Sequence, residues 1–334
     1  MARKATEFIL KALLLLAFGF FLWWELFQKQ DADLLLNNFL SRFSQSNPTL
    51  LYITIALVPI NWALEAMKWW LLVLEFEKIK FSKAFRAVLI GVSIGIFTPS
   101  RLGEYGGRAI LVKSDHVVES VVATFLGSIS QLLATLFFGY IGAIYFMHYF
   151  SMVSDLILWF LMMLGLFSFL LTLFFFYNID LMMNIFRRLY RKVSRNVSVL
   201  QKVKKVLINW LEHVNVLQNY SNRQLSTALF TAFLRYAVYS TQYFLLLTYM
   251  GIEMDLLIGI SSIATVFLLQ SSIPLPPVSG LLMRGGTALY IWQFFSANQV
   301  SILATTFSLW LLNVILPAII GLILLLNVKF FRTK

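Results

Sequence analysis

Six stretches of this chain, at 8–27, 50–74, 117–147, 152–177, 225–250 and 300–327, run apolar without a sustained polar break. A helix of about 20 apolar residues crosses a hydrocarbon core roughly 30 Å thick, so each stretch is long enough to be a span. The runs are continuous and do not alternate, which favours helices over a barrel, because backbone polar groups in lipid must be satisfied within each segment. With 60% hydrophobic and only 13% charged residues, no water-soluble domain of this length fits. The expected fold is an all-α polytopic membrane protein forming a single transmembrane domain over 1–334. The first run ends in Trp23-Trp24-Glu25 with no small-residue cleavage site, and reads as an uncleaved span.

Between these runs lie two interrupted segments. Thr98-Pro99-Ser100-Arg101-Leu102-Gly103-Glu104-Tyr105-Gly106-Gly107-Arg108 breaks the first half, and Ile273-Pro274-Leu275-Pro276-Pro277-Val278-Ser279-Gly280-Leu281-Leu282-Met283-Arg284 breaks the second. Paired broken segments in corresponding halves are the sequence mark of a transporter binding site. Lys/Arg-rich loops mark the cytoplasmic side. Arg3, Lys4 and Lys11, then Lys78, Lys80, Lys83 and Arg86, then the basic 178–224 loop, then Lys329, Arg332 and Lys334 all place their segments inside, with both termini cytoplasmic. Residues 83–116 then start and end inside, whereas 256–295 start and end outside. The expectation is two oppositely oriented re-entrant hairpins within an inverted repeat, about 50–147 and 225–327, with Pro99, Gly103 and Arg108 matching Pro276, Gly280 and Arg284. Backbone that breaks at membrane depth must line a wet cavity or be buried in protein, so both hairpins should meet near the centre.

Thr98-Pro99 reads as a helix start, a hydroxyl cap followed by Pro at the first helical position. Arg101, Glu104 and Arg108 would then share one face, and Ser279-Gly280 repeats the logic ahead of Arg284. A helix N-terminus beside an arginine favours an anionic oxygen cluster such as phosphate. Arg235 lies deep in the 225–250 run with Tyr236, Tyr239, Gln242 and Tyr243 around it. A charge at such depth costs roughly 2.5–3.5 kcal/mol on insertion scales and normally faces the protein interior with a partner. Glu65 and Glu104 are the available acids, so the deep inventory is net positive and suits a negatively charged substrate. Rival readings stand beside these: Glu65 and Lys68 as an interfacial ion pair next to Trp69 and Trp70, Arg108 and Lys113 as positive-inside anchors. Gly91 and Gly95 read as close helix packing, and Gln131, Gln270 and Asn313 as interhelical hydrogen bonders.

The net charge of +12 gathers in the termini and the amphipathic 178–224 loop, pointing to anionic lipid and away from nucleic acid. Cysteine is absent, and His116, His148 and His213 are too scattered to suggest a metal site. No cofactor or nucleotide motif is present.

The Thr98–Glu104 stretch is similar to the T-P-G-R-x-G-E motif of the lysylphosphatidylglycerol synthase transmembrane-region family, often described as flippase-like, with Ser100 in the usual Gly place. Ser279-Gly280-Leu281-Leu282 after Pro276-Pro277 looks like that family's second motif, and the resemblance covers about 10–327. It implies translocation of a lipid with a phosphate-bearing headgroup across a prokaryotic cytoplasmic membrane. Bifunctional members carry a soluble aminoacyl-transferase domain, which this chain lacks, so aminoacyl transfer is not expected of it. Its lipid would be an anionic phospholipid or a polyprenyl-phosphate-linked one. The expected partners are membrane lipids and a lipid-modifying enzyme, in a monomer or an oligomer. The candidate substrate-binding residues are Glu65, Thr98, Pro99, Ser100, Arg101, Gly103, Glu104, Arg108, Arg235, Ser279, Gly280 and Arg284. An intramembrane transferase on a lipid-phosphate carrier and a membrane scaffold are the alternatives.

Overall fold

The computed structural model describes residues 47–98, 101–178, 220–272 and 277–328, with the backbone alone for 277–282 and a few isolated positions besides. The first expected span, most of the basic 178–224 loop, Pro99, Ser100 and Lys329–Lys334 lie outside the described residues. Among the described residues the chain is helical and without strands: the protein is an all-α, multi-pass membrane protein. Four helices among the described residues are long and apolar enough to cross a membrane: Pro48–Val73, the Ser114–Tyr149 stretch, Asp155–Tyr177 and the Gln299–Leu326 stretch.

Helix α1 (Pro48–Val73) starts where the Asn47 side chain accepts from the Thr49 N–H at 3.0 Å and Pro48 opens the first turn. After a short turn come α2 (Phe81–Gly95) and α3 (Gly103–Ala109), then α4 (Val117–Tyr149) and α5 (Asp155–Tyr177). Helix α5 leaves Leu156, Trp159, Phe160 and Phe167 exposed, as a lipid-facing helix must. The second half opens with α6 (Asn222–Tyr249), begun by a reciprocal Ser221/Gln224 capping box. It continues through α7 (Leu256–Ser272), α8 (Pro277–Trp292), α9 (Gln299–Trp310) and α10 (Leu316–Leu326). The fifth expected span is therefore a 28-residue helix, and the polar side chains around Arg235 keep it out of the apolar four. Buried hydroxyls on these helices, Thr124, Ser130, Ser262 and Thr305 among them, donate to the carbonyl four residues back. A polar group thereby stays satisfied without water.

The π turn Leu311–Ile315 joins α9 to α10. Pro317 has no N–H for the carbonyl of Asn313, so the helix widens there, with the Leu316 N–H reaching back to the Leu311 carbonyl.

The packing of the first half is repeated in the second. α1 packs along α6; α2 on α3 is matched by α7 on α8, α3 on α4 by α8 on α9, and α1 on α4 by α6 on α9. The crossed contacts match too, since α2 lies against α10 as α7 lies against α4. Two apolar cores result, one around Trp69, Val88 and Leu322, the other around Tyr243, Ile263 and Trp292. Glycines set both crossed contacts. A Cβ on Gly321 would overlap the Leu89 carbonyl oxygen, and one on Gly142 would come within 2.5 Å of the Ala264 Cβ. Within the first hairpin, Gly107 rides on Gly91, and Gly95 admits the Glu104 side chain, which is the close packing expected of Gly91 and Gly95.

At the base of that hairpin Glu77 binds the Lys83 ammonium at 3.0 Å and the Lys113 N–H at 2.9 Å, joining the α1–α2 turn to the end of the hairpin. Burial raises its carboxyl, but the Lys113 N–H, the Lys83 ammonium and nearby His116 outweigh that and hold it below its ordinary value. A depressed folded-state value stabilises fully above the unfolded value, near 4.3, and the gain is lost as pH falls through the folded value.

Two measurements follow from this packing. Melting in detergent should show Gly321→Ala and Gly142→Ala destabilised by about 1–3 kcal/mol through overpacking, while Gly106→Ala and Gly286→Ala, whose Cβ meets no atom within 4 Å, stay within about 0.5 kcal/mol. Glu77→Gln should lower the melting temperature at neutral pH, and its difference from wild type should close as Glu77 protonates in acid. An unchanged difference across that range would remove the ionised clasp.

Candidate functional site: a cationic cavity between the two hairpins

Pro99, the expected first helical residue after Thr98, lies outside the described residues. Ahead of α3, which begins at Gly103, Arg101 has φ +58°. That left-handed conformation is unfavourable for a side chain with a Cβ, by roughly 1–2 kcal/mol. Local hydrogen bonds hold it: the Arg101 N–H donates to the Thr98 carbonyl at 3.1 Å, and the Thr98 hydroxyl donates to the Gly95 carbonyl at 3.0 Å. The same hydroxyl accepts from the Gly103 N–H at 2.6 Å, so Thr98 does cap the short helix, from five residues away. Gly103 is required there, since a Cβ would fall 2.6 Å from the Ile94 carbonyl oxygen. In the second hairpin α8 starts at Pro277. Ser279 and Gly280 therefore sit inside the first turn and do not precede it, Pro277 taking the position a proline tolerates; the Ser279 side chain lies outside the described residues.

Glu65, on α1, is the hub of a buried charge network. Its Oε2 lies 2.8 Å from Lys68 Nζ and 3.1 Å from Arg235 Nη1, and its Oε1 lies 2.8 Å from Arg108 Nη2. Arg108 also binds Glu104 at 2.9 Å, and Glu104 pairs in turn with Arg101. Lys68 and Arg108 are 1% and 3% exposed, so neither could stay charged without these partners. Gln131 on α4 accepts from Arg235 at 3.1 Å and from Lys68 at 3.5 Å. The lysine stem fits because Gly127 faces it, a Cβ there falling 3.3 Å from Lys68 Cε. Four cations share two carboxylates, a formal excess of two positive charges.

This network forms one wall of a cavity of about 310 Å³. Arg101 from the first hairpin, Arg235 from α6 and Arg284 from the second hairpin all line it, with Gln270 and Ser271 from the end of α7 and Asn313 from the π turn. Arg235 lies over the Trp62 ring at 5.5 Å, and Asn61 donates to Asn313 at 2.8 Å across the floor. The Nε of Arg235 and the Nε1 of Trp62 are buried with no acceptor among the described residues. Guanidinium groups with spare donors around a polar cavity bind phosphate or carboxylate in forked geometry.

The structure thus brings Arg101, Arg235 and Arg284 to one cavity and sets Glu65, Glu104 and Arg108 behind them as a buried ionic frame. Thr98 and Gly103 shape the turn and are not on the cavity wall. The Glu65–Lys68 ion pair expected from their spacing forms at 2.8 Å, and it is buried within the protein, joined to Arg108 and Arg235. Trp62 carries no signal in the sequence, because nothing marks a tryptophan inside an apolar run until a guanidinium lies against it. Gln270 donates to Thr287 at 3.0 Å within the second hairpin, while Gln242 donates to the Thr54 carbonyl at 3.0 Å, tying α6 to α1.

A polytopic helical protein with paired broken helices around a cationic cavity is a membrane domain of the kind that handles lipids. The chain matches the lysylphosphatidylglycerol synthase TM region over residues 8–326, and it belongs to that family. No curated protein matches it.

Removing the hub carboxylate should be severe. Glu65→Gln leaves the buried Lys68 and Arg108 and the partly exposed Arg235 short of a counter-charge and should cost about 3–5 kcal/mol. Adding Lys68→Met should recover a measurable part of that loss, a non-additivity read from melting curves of the two single variants and the double.

Proposed function

We propose that this protein is a lipid flippase or transporter that moves a lipid with an anionic, phosphate-bearing headgroup across the cytoplasmic membrane. The observation that carries the reading is the convergence of Arg101, Arg235 and Arg284, from three separate segments, on one cavity. Both carboxylates behind them are already committed to cations, Arg101 and Arg235 among them, so neither is placed to serve as the base of a transferase. The headgroup would enter the cavity while acyl or prenyl chains stay in lipid, and anionic phospholipids and polyprenyl-phosphate-linked lipids both have that chemistry.

The topology supports the reading. Helices α2, α3, α7 and α8 have 15, 7, 17 and 16 residues, each short of the roughly 20 that a span needs. They are re-entrant hairpins, the first from the cytoplasmic side and the second from the outer side. The basic loops and both termini face the cytoplasm. The exchange-symmetric packing of α1–α4 and α6–α10 supports an inverted repeat, about 50–147 and 225–327, within one domain. Rocking one repeat against the other around the fixed arginines would open the cavity to each side in turn.

In proteoliposomes, sidedness of labelled phosphatidylglycerol and polyprenyl-phosphate analogues should change with wild-type protein. Movement should fall at least about tenfold in Arg101→Ala and Arg235→Ala, each of which removes roughly a charge-assisted hydrogen bond's worth of headgroup binding. Arg101→Ala leaves Glu65 its three cations and Arg235→Ala leaves it two, so folded protein should be recovered. Full movement in both variants would overturn the reading.

A further inference from the structure

A second cavity, about 570 Å³, opens between the start of α2 and the end of α10 and shares no lining residue with the central one. The two helices touch at Leu89 and Gly321, where no Cβ intervenes. One to two turns beyond, they part around Ser82, Lys83, Arg86 and Ile90 on one side and Leu324, Asn327 and Val328 on the other.

The crevice has two kinds of wall. Its mouth carries Lys78, Lys80, Lys83 and Arg86. Lys83 is taken by Glu77 at 3.0 Å, whereas Lys78, Lys80 and Arg86 have no carboxylate partner among the described residues. No side chain caps the first turn of α2, which begins at this mouth, so its N–H groups add to the positive potential. The interior is apolar: Ile79, Ile90, Leu111, Leu324 and Val328. Free phosphate has no use for such a wall, and an apolar molecule has none for such a mouth. A glycerophospholipid with an anionic headgroup uses both.

We propose that this crevice holds an anionic glycerophospholipid of the leaflet facing the basic loops, headgroup on Lys78, Lys80 and Arg86 and an acyl chain along Leu111 and Leu324. It is a resident lipid, distinct from any lipid handled in the central cavity, and the assignment rests on the crevice alone and not on transport. Basic pockets between helices on the cytoplasmic side bind such headgroups. Helix α2 runs from this mouth to the Gly95–Arg101 turn at the central cavity, so the bound lipid would brace the element that presents Arg101.

Native mass spectrometry of the full chain in detergent, titrated with phosphatidylglycerol or phosphatidylcholine, tests it. Wild type and Arg101→Ala should both retain a crevice-bound copy of phosphatidylglycerol, whatever Arg101→Ala does to a copy in the central cavity, and phosphatidylcholine should not replace the crevice copy. The double variant Lys80→Gln/Arg86→Gln should bind it about tenfold or more weakly, each removed charge near the surface counting for several-fold. Leu324→Trp, which fills the crevice without altering charge, should also lose it. Phosphatidylglycerol bound equally by both crevice variants, or displaced by millimolar inorganic phosphate, would overturn the assignment. Loss of every bound copy in Arg101→Ala alone would place the lipid in the central cavity and equally overturn it.

Discussion

One carboxylate, that of Glu65, holds three cations from three helices: Lys68 on its own helix, Arg108 from the first hairpin and Arg235 from the second half. In a dry interior a lone charge is costly, and an ion pair is tolerated only when geometry and hydrogen bonds are complete. The remaining polar architecture follows from meeting that condition. Gln131 supplies a further acceptor, Gly127 leaves space for the lysine stem, and Glu104 takes up the second face of Arg108 while reaching Arg101. The left-handed turn at Arg101 is held by Thr98 and the close approach of Gly103 to Ile94, so a strained residue is presented to the cavity by an otherwise rigid hairpin.

Around that frame, backbone contact between helices decides shape. Without a hydrophobic driving force in lipid, helices associate through close packing and interhelical hydrogen bonds, and the two crossed contacts are glycine contacts in both halves. Each hairpin is clasped to the far end of the opposite half, α2 to α10 and α7 to α4. The cavity is thereby enclosed by elements of both halves, with a π turn and Pro317 supplying Asn313 to its floor. The short helices and the polar α6 are the costly parts of a membrane protein: α6, α7 and α8 line the cavity, and the turn between α2 and α3 presents Arg101 to it. The long, uniformly apolar α5 contributes nothing to it and faces outward.

Much of the architecture was legible in the chain because apolar run length is set by bilayer thickness. The runs at 50–74, 117–147, 152–177, 225–250 and 300–327 coincide with helices to within a few residues, and the run at 8–27 lies outside the described residues. The broken segments announced themselves through Pro, Gly and charge. Helix starts are less legible: the Thr98 hydroxyl reaches the Gly103 N–H five residues on, past the left-handed Arg101 that sequence does not reveal. Ser279 imitated a cap, yet the helix had already begun at Pro277. Arg235 was found because a charge deep in a span is conspicuous by itself, whereas Trp62 and Gln131 are ordinary residues until a guanidinium lies against them.

The sequence by itself determined that the chain is helical and membrane-spanning, where it breaks, and that its deep charges are net positive. Those properties are local, fixed by hydropathy, length and residue type. Only the tertiary structure decided which arginines meet: Arg101, Arg235 and Arg284 share a cavity while Arg108 turns inward to Glu65 and Glu104. It also decided that the Glu65–Lys68 pair is buried among further cations. Partner choice among charges far apart in the chain depends on where the helices cross, and that crossing is set by glycine-to-backbone contacts that leave no pattern in a single sequence.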